Sequence, residues 1–308
     1  MPGGPEREAA ASVGAMEWEP ERPYEAHAAM ARDVDYTVRR LREADRTGLT
    51  AFLDADPAFS IFPRGNLEHF SLNTTFVRYW GLFRSGKLSA ALMMVGHRAA
   101  LYAPVGMGMG PLAEVAVREG IEFTMGRADL VDEVMAHYAS GDVERREEHH
   151  LAGLRTTKSP GFPRVDTPPG ALIRRATTKD VPALTRLYLG SDGFEELNEE
   201  QVRRVMGNRV RSMRTYVAVA GAGMSLVAAC STSAETPHAA MIGGVWTAPE
   251  ARNRGYSTAV VAALARELAE QGPRPYLFYL LENAPAARVY AKVGFAVVGR
   301  WSVAYLHV

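Results

Sequence analysis

The residues with the most chemistry in this 308-residue chain begin at Met241: MIGGVWTAPEARNRGYSTAVVAALARELAEQG. A strand carrying Gly243 and Gly244 runs into Val245-Trp246-Thr247, and Pro249 breaks it. Arg252-Asn253-Arg254-Gly255-Tyr256-Ser257 then forms a turn, and Thr258 enters a helix with apolar positions at Val260, Val261, Leu264 and Leu268. Glycine and a small residue at a helix start let backbone N–H groups approach an anion, and the helix dipole favours negative charge there. Arg252 and Arg254 add full positive charges. The chemistry this allows is the holding of a phosphate or pyrophosphate without a P-loop lysine. The same residues also read as a plain strand–turn–helix with a glycine for tight packing.

The next segment narrows that choice. Tyr276–Leu281 is an uninterrupted apolar run, as expected of a strand buried on both faces. Glu282-Asn283-Ala284-Pro285 starts another helix, with Asn283 placed as a cap and Pro285 tolerated in the first turn. Asn283 and Tyr290 are seven residues apart, about two turns, so they share one helical face. Lys292, Gly294 and Phe295 end the helix and lead into a strand over Val297–Leu306.

Together, Arg252-x-x-Gly255-x-Ser257 and LLENAPAARVYAKVGF resemble the GNAT superfamily of acyl-CoA N-acyltransferases. That superfamily carries an Arg/Gln-x-x-Gly-x-Gly/Ala turn and a later Asn…Tyr-x-Lys-x-Gly-Phe helix. VWTAPEARNRGYSTAVVAAL is similar to the two-part subgroup whose N-terminal half is a divergent GNAT-like domain. The motifs cover 241–295, and the order of elements extends the resemblance to 171–308. Two departures stand out. Ser257 replaces the usual Gly or Ala, and Gly243 and Gly244 occupy strand positions where some relatives carry a glutamate base.

The resemblance implies direct transfer of an acyl group, in the first instance acetyl from acetyl-CoA, to an amine, with no covalent enzyme intermediate and no metal. Positioning and oxyanion stabilisation would do most of the work. It implies that the backbone of Val245, Trp246 and Thr247 holds the pantetheine arm, and that Arg252, Asn253, Arg254, Gly255, Tyr256, Ser257 and Thr258 bind the pyrophosphate. Tyr290 would protonate the departing thiolate; a phenol near 10 and a thiol near 8.5 are nearly matched. Tyr290 also reads as a core aromatic of an amphipathic helix. Asn283 reads as a cofactor contact or a helix cap, and Lys292 as a phosphate contact or a solvated lysine. Asp192, Glu195 and Glu196 lie in a loop where relatives line the acceptor site; each also reads as a surface acid, and Glu196 is the named candidate base. The alternative function is an acyl-CoA-binding sensor or interaction protein that keeps the fold without turnover. The acceptor would be an amine-bearing small molecule or peptide, with the chain a monomer or homodimer.

Three other signals carry less. Val105-Gly106-Met107-Gly108-Met109-Gly110 lacks the GxGxxG spacing of a dinucleotide turn and reads as a flexible turn. His149 and His150 are adjacent and have no cysteine beside them, which argues against a metal site. Arg203, Arg204, Arg209, Arg211 and Arg214 read either as a solvated face or as the rim of a site for an acidic substrate.

These residues need elements to hold them. The reading is an α/β chain with two GNAT-like domains in tandem: an acidic tail over 1–35, an N-terminal domain over 36–157, a linker over 158–170 and the acyltransferase domain over 171–308. KSPGFPRVDTPPG supplies the linker, its prolines and glycines interrupting regular structure. The N-terminal half is expected to have strands at Thr37–Arg40, Phe76–Arg84, Lys87–Val95 and Ala99–Pro104. Helices are expected over Glu43–Ala55, Leu112–Arg118 and Ala128–Tyr138, with Leu49, Phe52 and Leu53 inward. After the linker a similar order restarts, with strands at Ala171–Ala176, Thr215–Ala220, Met224–Ser231 and Ala239–Thr247 and helices over Asp180–Leu189 and Asn198–Val210. That order points to an internal duplication. The N-terminal half has neither the Arg-x-x-Gly turn nor the Asn…Tyr helix, so it is expected to bind no CoA. Met1, Met16 and Met30 are each possible starts.

Composition fits this reading. With 47% hydrophobic and 23% charged residues the chain is an ordinary globular protein. Its 35 basic and 35 acidic residues cancel, so nothing calls for nucleic acid. The cancellation is uneven: 1–35 holds eight acids and three bases, while 171–308 holds 16 bases and 11 acids, so the surplus positive charge lies with the phosphate turn. One cysteine, Cys230, excludes an intramolecular disulfide. No apolar run reaches the length of a membrane span and no export signal is visible, so a cytoplasmic protein away from membranes is expected.

Overall fold

Tyr36–Arg40 (β1) ends at an arginine pair, and six residues after Arg39 comes Asp45. Arg39 donates to Asp45 through both terminal nitrogens, at 2.8 and 2.6 Å. The same carboxylate accepts the Arg42 backbone N–H at 2.8 Å and so starts the 3₁₀ turn Glu43–Asp45 that leads into the first helix. The second half repeats this residue for residue. Arg174 donates to Asp180 at 2.8 and 2.7 Å, and Asp180 accepts the Thr177 N–H at 2.7 Å before the next helix. A guanidinium fork matched to a carboxylate is a specific geometry. It holds both carboxyls low, at about 2. The duplication that is faint in the sequence is thus plain at the start of each half.

A computed structural model describes residues 36–139, 141–155, 162–191, 193–221 and 223–307. The acidic tail with Met1, Met16 and Met30, the linker residues 158–161 and Asp192 lie outside the described residues. After β1 the first half runs α1 (Arg46–Asp54), α2 (Ile61–His69), β2 (Val77–Arg84), β3 (Lys87–Val95), β4 (Arg98–Tyr102), α3 (Pro111–Arg118), β5 (Phe123–Arg127), α4 (Ala128–Met135) and β6 (Val143–Leu154). The second half runs β7 (Leu172–Arg175), α5 (Val181–Tyr188), α6 (Glu199–Ser212), β8 (Thr215–Ala220), β9 (Ser225–Glu235), β10 (Ala239–Thr247), α7 (Tyr256–Gln271), β11 (Arg274–Leu280), α8 (Ala284–Val293) and β12 (Phe295–Leu306). The order of strands and helices is the same in both.

Among the described residues, twelve strands join one mixed sheet, ordered β1-β2-β3-β4-β5-β12-β6-β11-β10-β9-β8-β7. The halves exchange their last strands. β12 pairs with β5 of the first half, β6 pairs with β11 of the second, and the two exchanged strands pair with each other along Phe295–Leu306. Each half covers one face of its strands with its first two helices and the other with its last two. In β3, Ala91 and Met93 pack with α1 and α2, while Leu92 and Met94 pack with α3 and α4. Val217, Val219 and Ala229 likewise face α5 and α6, while Ala218, Ala220 and Cys230 face α7 and α8. This alternation is the period-two pattern of a strand buried on both sides.

Both parallel pairs are short. β10 pairs with β11 only over Ala239–Ile242 and Arg274–Leu277, and β4 with β5 only over Arg98–Ala100 and Phe123–Met125. Beyond those residues the ladders stop, although the strands run on to Thr247 and Leu280 in the second half and to Tyr102 and Arg127 in the first. Among the described residues, no helix is long and apolar enough to cross a membrane.

Candidate functional site

In the second half the end of the β10–β11 ladder coincides with a loss of register between β10 and β9. Gly243 lies opposite Ser231 on β9, but Trp246 lies opposite Ala229, so Gly244 and Val245 together oppose Cys230. This is a β-bulge, which frees backbone groups from the ladder and re-aims the strand. Gly244 sits at φ 57°, a left-handed conformation that glycine adopts without penalty. The Tyr188 hydroxyl on α5 donates to the Gly244 carbonyl and fixes the bulge from one side. Cys230 is fully buried and burial pushes its thiol up, so it is no nucleophile.

Pro249–Ala251 makes one 3₁₀ turn, and the chain then enters α7 through two left-handed residues, Asn253 at φ 62° and Gly255 at φ 84°. Gly255 caps α7 with no side-chain acceptor, and the first helical bond runs from Ala259 N–H to Gly255 carbonyl at 3.0 Å. The N–H groups of the first turn therefore lack intrahelical partners. The turn is braced from the inside. Thr247 and Ser257 hydroxyls bond each other at 2.6 Å, and Arg252 donates from Nε to the Thr247 carbonyl at 3.3 Å while its guanidinium lies 4.9 Å from the Trp246 ring. Arg254 is exposed at the mouth of a groove of about 460 Å³ bounded by Pro169, Gly170, Gly221 and Tyr256. A Cβ at Gly255 would meet only Pro168, at 3.6 Å, so the space before the helix is open. Open N–H groups, a dipole and two arginines fit an anionic ligand such as the pyrophosphate of CoA. The side chain of Tyr256 turns inward and is buried, leaving only its backbone at the turn.

Tyr290 lies on α8 and is 8% exposed, its ring 5.3 Å from that of Tyr279 and 6.3 Å from that of Phe295. Burial pushes its hydroxyl well above the ordinary range, with Cys230 and Tyr279 adding to the effect. The near match with a free thiol thus does not hold for the buried phenol: it stays protonated at every ordinary pH. A thiol entering the same dry surroundings would rise too, as Cys230 does. Asn283 is a true helix cap, its Oδ1 accepting the Ala286 N–H at 3.0 Å. Lys292 is exposed in the last turn of α8, and Glu196 is exposed in the loop before α6, with no hydrogen bond to β10 among the described residues.

The strand exchange adds residues that motif reasoning assigned elsewhere. β6 runs beside β11, which puts His150 5.4 Å from the Tyr279 ring, itself against Tyr290. His149 points to the other face, edge-on to Phe278 at 5.2 Å. Burial lowers the pKa of both and so favours their neutral forms. Adjacent strand residues face opposite ways, and the histidine pair therefore does not converge on one site.

The corresponding turn of the first half has the opposite character. Val105–Gly110 is held rather than flexible: the Glu133 carboxylate on α4 accepts the N–H groups of Met109 and Gly110, both at 2.6 Å. Arg127 donates to the carbonyls of Ala103 and Met107, at 2.6 and 3.0 Å. Counting from the cap of each last helix, Val134 stands where Tyr290 stands, and it is fully buried.

Comparison with known proteins matches this architecture. The family model described as FR47-like protein matches residues 215–303, which hold the bulge, the turn and Tyr290. A GCN5-related N-acetyltransferase from Sphaerobacter thermophilus superposes with a TM-score of 0.61 at 15% identity, covering 89% of this chain and 97% of that one. A tandem GNAT protein from the clavulanic acid biosynthesis pathway gives 0.54 at 18% identity, covering 88% and 98%. A GNAT-family acetyltransferase from Colwellia psychrerythraea gives 0.53 at 15% identity, covering 88% and 100%. No curated protein matches the sequence. At such identities the likeness is one of fold, and on it the chain has the GNAT superfamily fold, carried twice in tandem.

Proposed function

We propose that the second half is an N-acyltransferase that takes an acyl group, acetyl in the first instance, from acyl-CoA to an amine. The observation that carries this reading is the pairing of an open helix start at Gly255 with a bulge at Gly244–Val245, on either side of Thr247. One end suits a pyrophosphate; the other presents backbone groups to a pantetheine arm and a thioester carbonyl. Arg252, Asn253, Arg254, Ser257 and Thr258 line the first end, and Val245, Trp246 and Thr247 the second.

Acyl-CoA supplies the activated carbonyl. The amine nitrogen bonds to that carbon, the carbon–sulfur bond breaks, and the sulfur takes a proton. Tyr290 is the donor, because its burial keeps the proton in place until a thiolate forms beside it. The amine must shed its own proton first, and Glu196 would act on it only through water, since it is exposed. Gly243 and Gly244 provide no strand carboxylate for this step, and that observation favours the second reading, an acyl-CoA-binding sensor without turnover.

Thiol release measured with acetyl-CoA and a panel of amines separates the two. Amine-dependent release is expected. Tight CoA binding with no release on any amine would establish the sensor instead.

A further inference from the structure

Of the five arginines on and after α6, four have ordinary partners. Arg203 and Arg204 are exposed and pair with Glu199 and Glu200 one turn back, at 2.8 and 3.5 Å. Arg211 donates to Asn208 at 2.7 Å, and Arg214, whose Nη1 is also buried without a hydrogen bond, lies 3.2 Å from Glu235 and 3.4 Å from Glu267. Arg209 differs in having no carboxylate or amide partner among the described residues. Its guanidinium carbon lies 5.6 and 5.2 Å from the ring centroids of Tyr188 and Phe194, and its Nη1 is buried with no hydrogen-bond partner among the described residues. A cation set against aromatic rings has given up water, and a buried N–H without an acceptor is a cost that a bound acceptor removes. The Tyr188 hydroxyl, which donates to the Gly244 carbonyl, accepts no hydrogen bond from Arg209 Nη1.

Nη1 lies at the bulge itself. A Cβ at Gly244 would come within 2.8 Å of it and 3.6 Å of Ser231 Oγ, so only glycine lets the guanidinium sit this close to the strand. The glycine pair has a second consequence. Neither Gly243 nor Gly244 offers a carboxylate to neutralise Arg209.

We infer, on the basis of the acyl-transfer reading above, that the acceptor is an amine bearing a carboxylate, of the α- or β-amino-acid class, and that Arg209 holds the carboxylate. Consecutive Cα atoms are about 3.8 Å apart, so a carboxylate at Gly244 sets an amine two or three bonds away beside Val245. That is where the proposed thioester carbonyl is presented. The charged fork suits a planar carboxylate and discriminates against an amine that lacks one.

The test pairs amino acids with their decarboxylated amines: lysine with cadaverine, phenylalanine with phenethylamine, β-alanine with ethylamine. Calorimetric binding to the CoA-saturated chain and thiol release from acetyl-CoA are both read. Each acid that binds should exceed its amine by about 10–100-fold, the range of a charge-assisted bond to a desolvated partner. Arg209→Gln should erase that preference and Arg209→Lys should keep part of it, with acetyl-CoA affinity and melting temperature unchanged in both. Amines binding as well as their acids would overturn the inference, as would a preference that survives Arg209→Gln, or no binding of any pair member by a chain that binds CoA. Arg209-dependent binding of acids without thiol release would instead remove the acyl-transfer reading and leave the carboxylate site standing.

Discussion

The two halves of the chain share an order of elements and an Arg–Asp fork, yet they treat the same turn in opposite ways. In the second half the turn before α7 opens on unpartnered N–H groups and exposed arginines. In the first half the equivalent turn before α3 gives the N–H groups of Met109 and Gly110 to the Glu133 carboxylate, and those of Leu112 and Ala113 to the carbonyls of Met109 and Gly110. A Cβ at Gly108 would be 2.6 Å from that carboxylate, so the space is filled by the protein itself. The fourth helix tells the same story, with Val134 packed in the core where the other half presents Tyr290. On the proposed function, a duplicated turn serves as a ligand site in one copy and is closed as an internal ion–dipole contact in the other. The first half also contributes β6, which pairs with β11 of the second.

The largest expected effect contrasts the two helix positions. Tyr290→Phe should lower kcat by about 10²–10⁴-fold, the usual contribution of a positioned acid, with CoA affinity little changed. Val134→Ala should leave kcat alone and cost about 1–3 kcal/mol of stability, read by denaturant unfolding. Equal effects on turnover would erase the distinction between the halves. Next, Glu133→Ala should cost about 1–3 kcal/mol through two lost charge-assisted bonds. Millimolar inorganic phosphate should then raise the melting temperature of the variant and not of the parent chain. Phosphate acting on neither would show that the carboxylate does not stand in for an anion.

The smallest effect tests what the halves have in common. Hydrogen bonds from Arg39 and Arg174 hold Asp45 and Asp180 at about 2, below their ordinary range. A depressed carboxyl contributes stability above its unfolded pKa, near 3.9, and loses it as pH falls through about 2. Asp45→Asn and Asp180→Asn should each lower the melting temperature by at most about 4 °C at pH 7, as expected of half-exposed pairs screened by solvent. The difference from the parent should shrink as pH falls toward 2. Unequal losses would mean that the two forks are not equivalent.

Much of the second half is legible in the sequence because its signals are local. Gly255, Asn283, Pro285 and Gly294 punctuate elements at the positions the structure uses, and the apolar run at Tyr276 is a strand, Arg274–Leu280, buried at Pro275–Leu277 and half-buried from Phe278 on. The N-terminal half hides more. α2 contains Pro63 and Gly65, which read as breakers; Pro63 falls in the first turn, where its missing N–H costs nothing, and Gly65 permits close approach to the Glu235 carbonyl, 3.3 Å from where its Cβ would be. β6 reads VERREEHHLAGL, too charged for a central strand, because only its last residues are deeply buried. Its partners lie more than a hundred residues away, so no local pattern encodes the exchange. Arg209 is one of five similar arginines in sequence, and only packing against Tyr188 and Phe194 singles it out.

The central claim, that one turn binds CoA and its copy does not, is tested most directly by calorimetric titration of acetyl-CoA into the full chain and into Gly255→Glu. Any side chain at φ 84° is strained, and a carboxylate there opposes a pyrophosphate. One CoA per chain is expected, weakened by at least about 100-fold in the variant, in keeping with a loss of several charge-assisted bonds. Two CoA per chain, or an affinity untouched by Gly255→Glu, would contradict it.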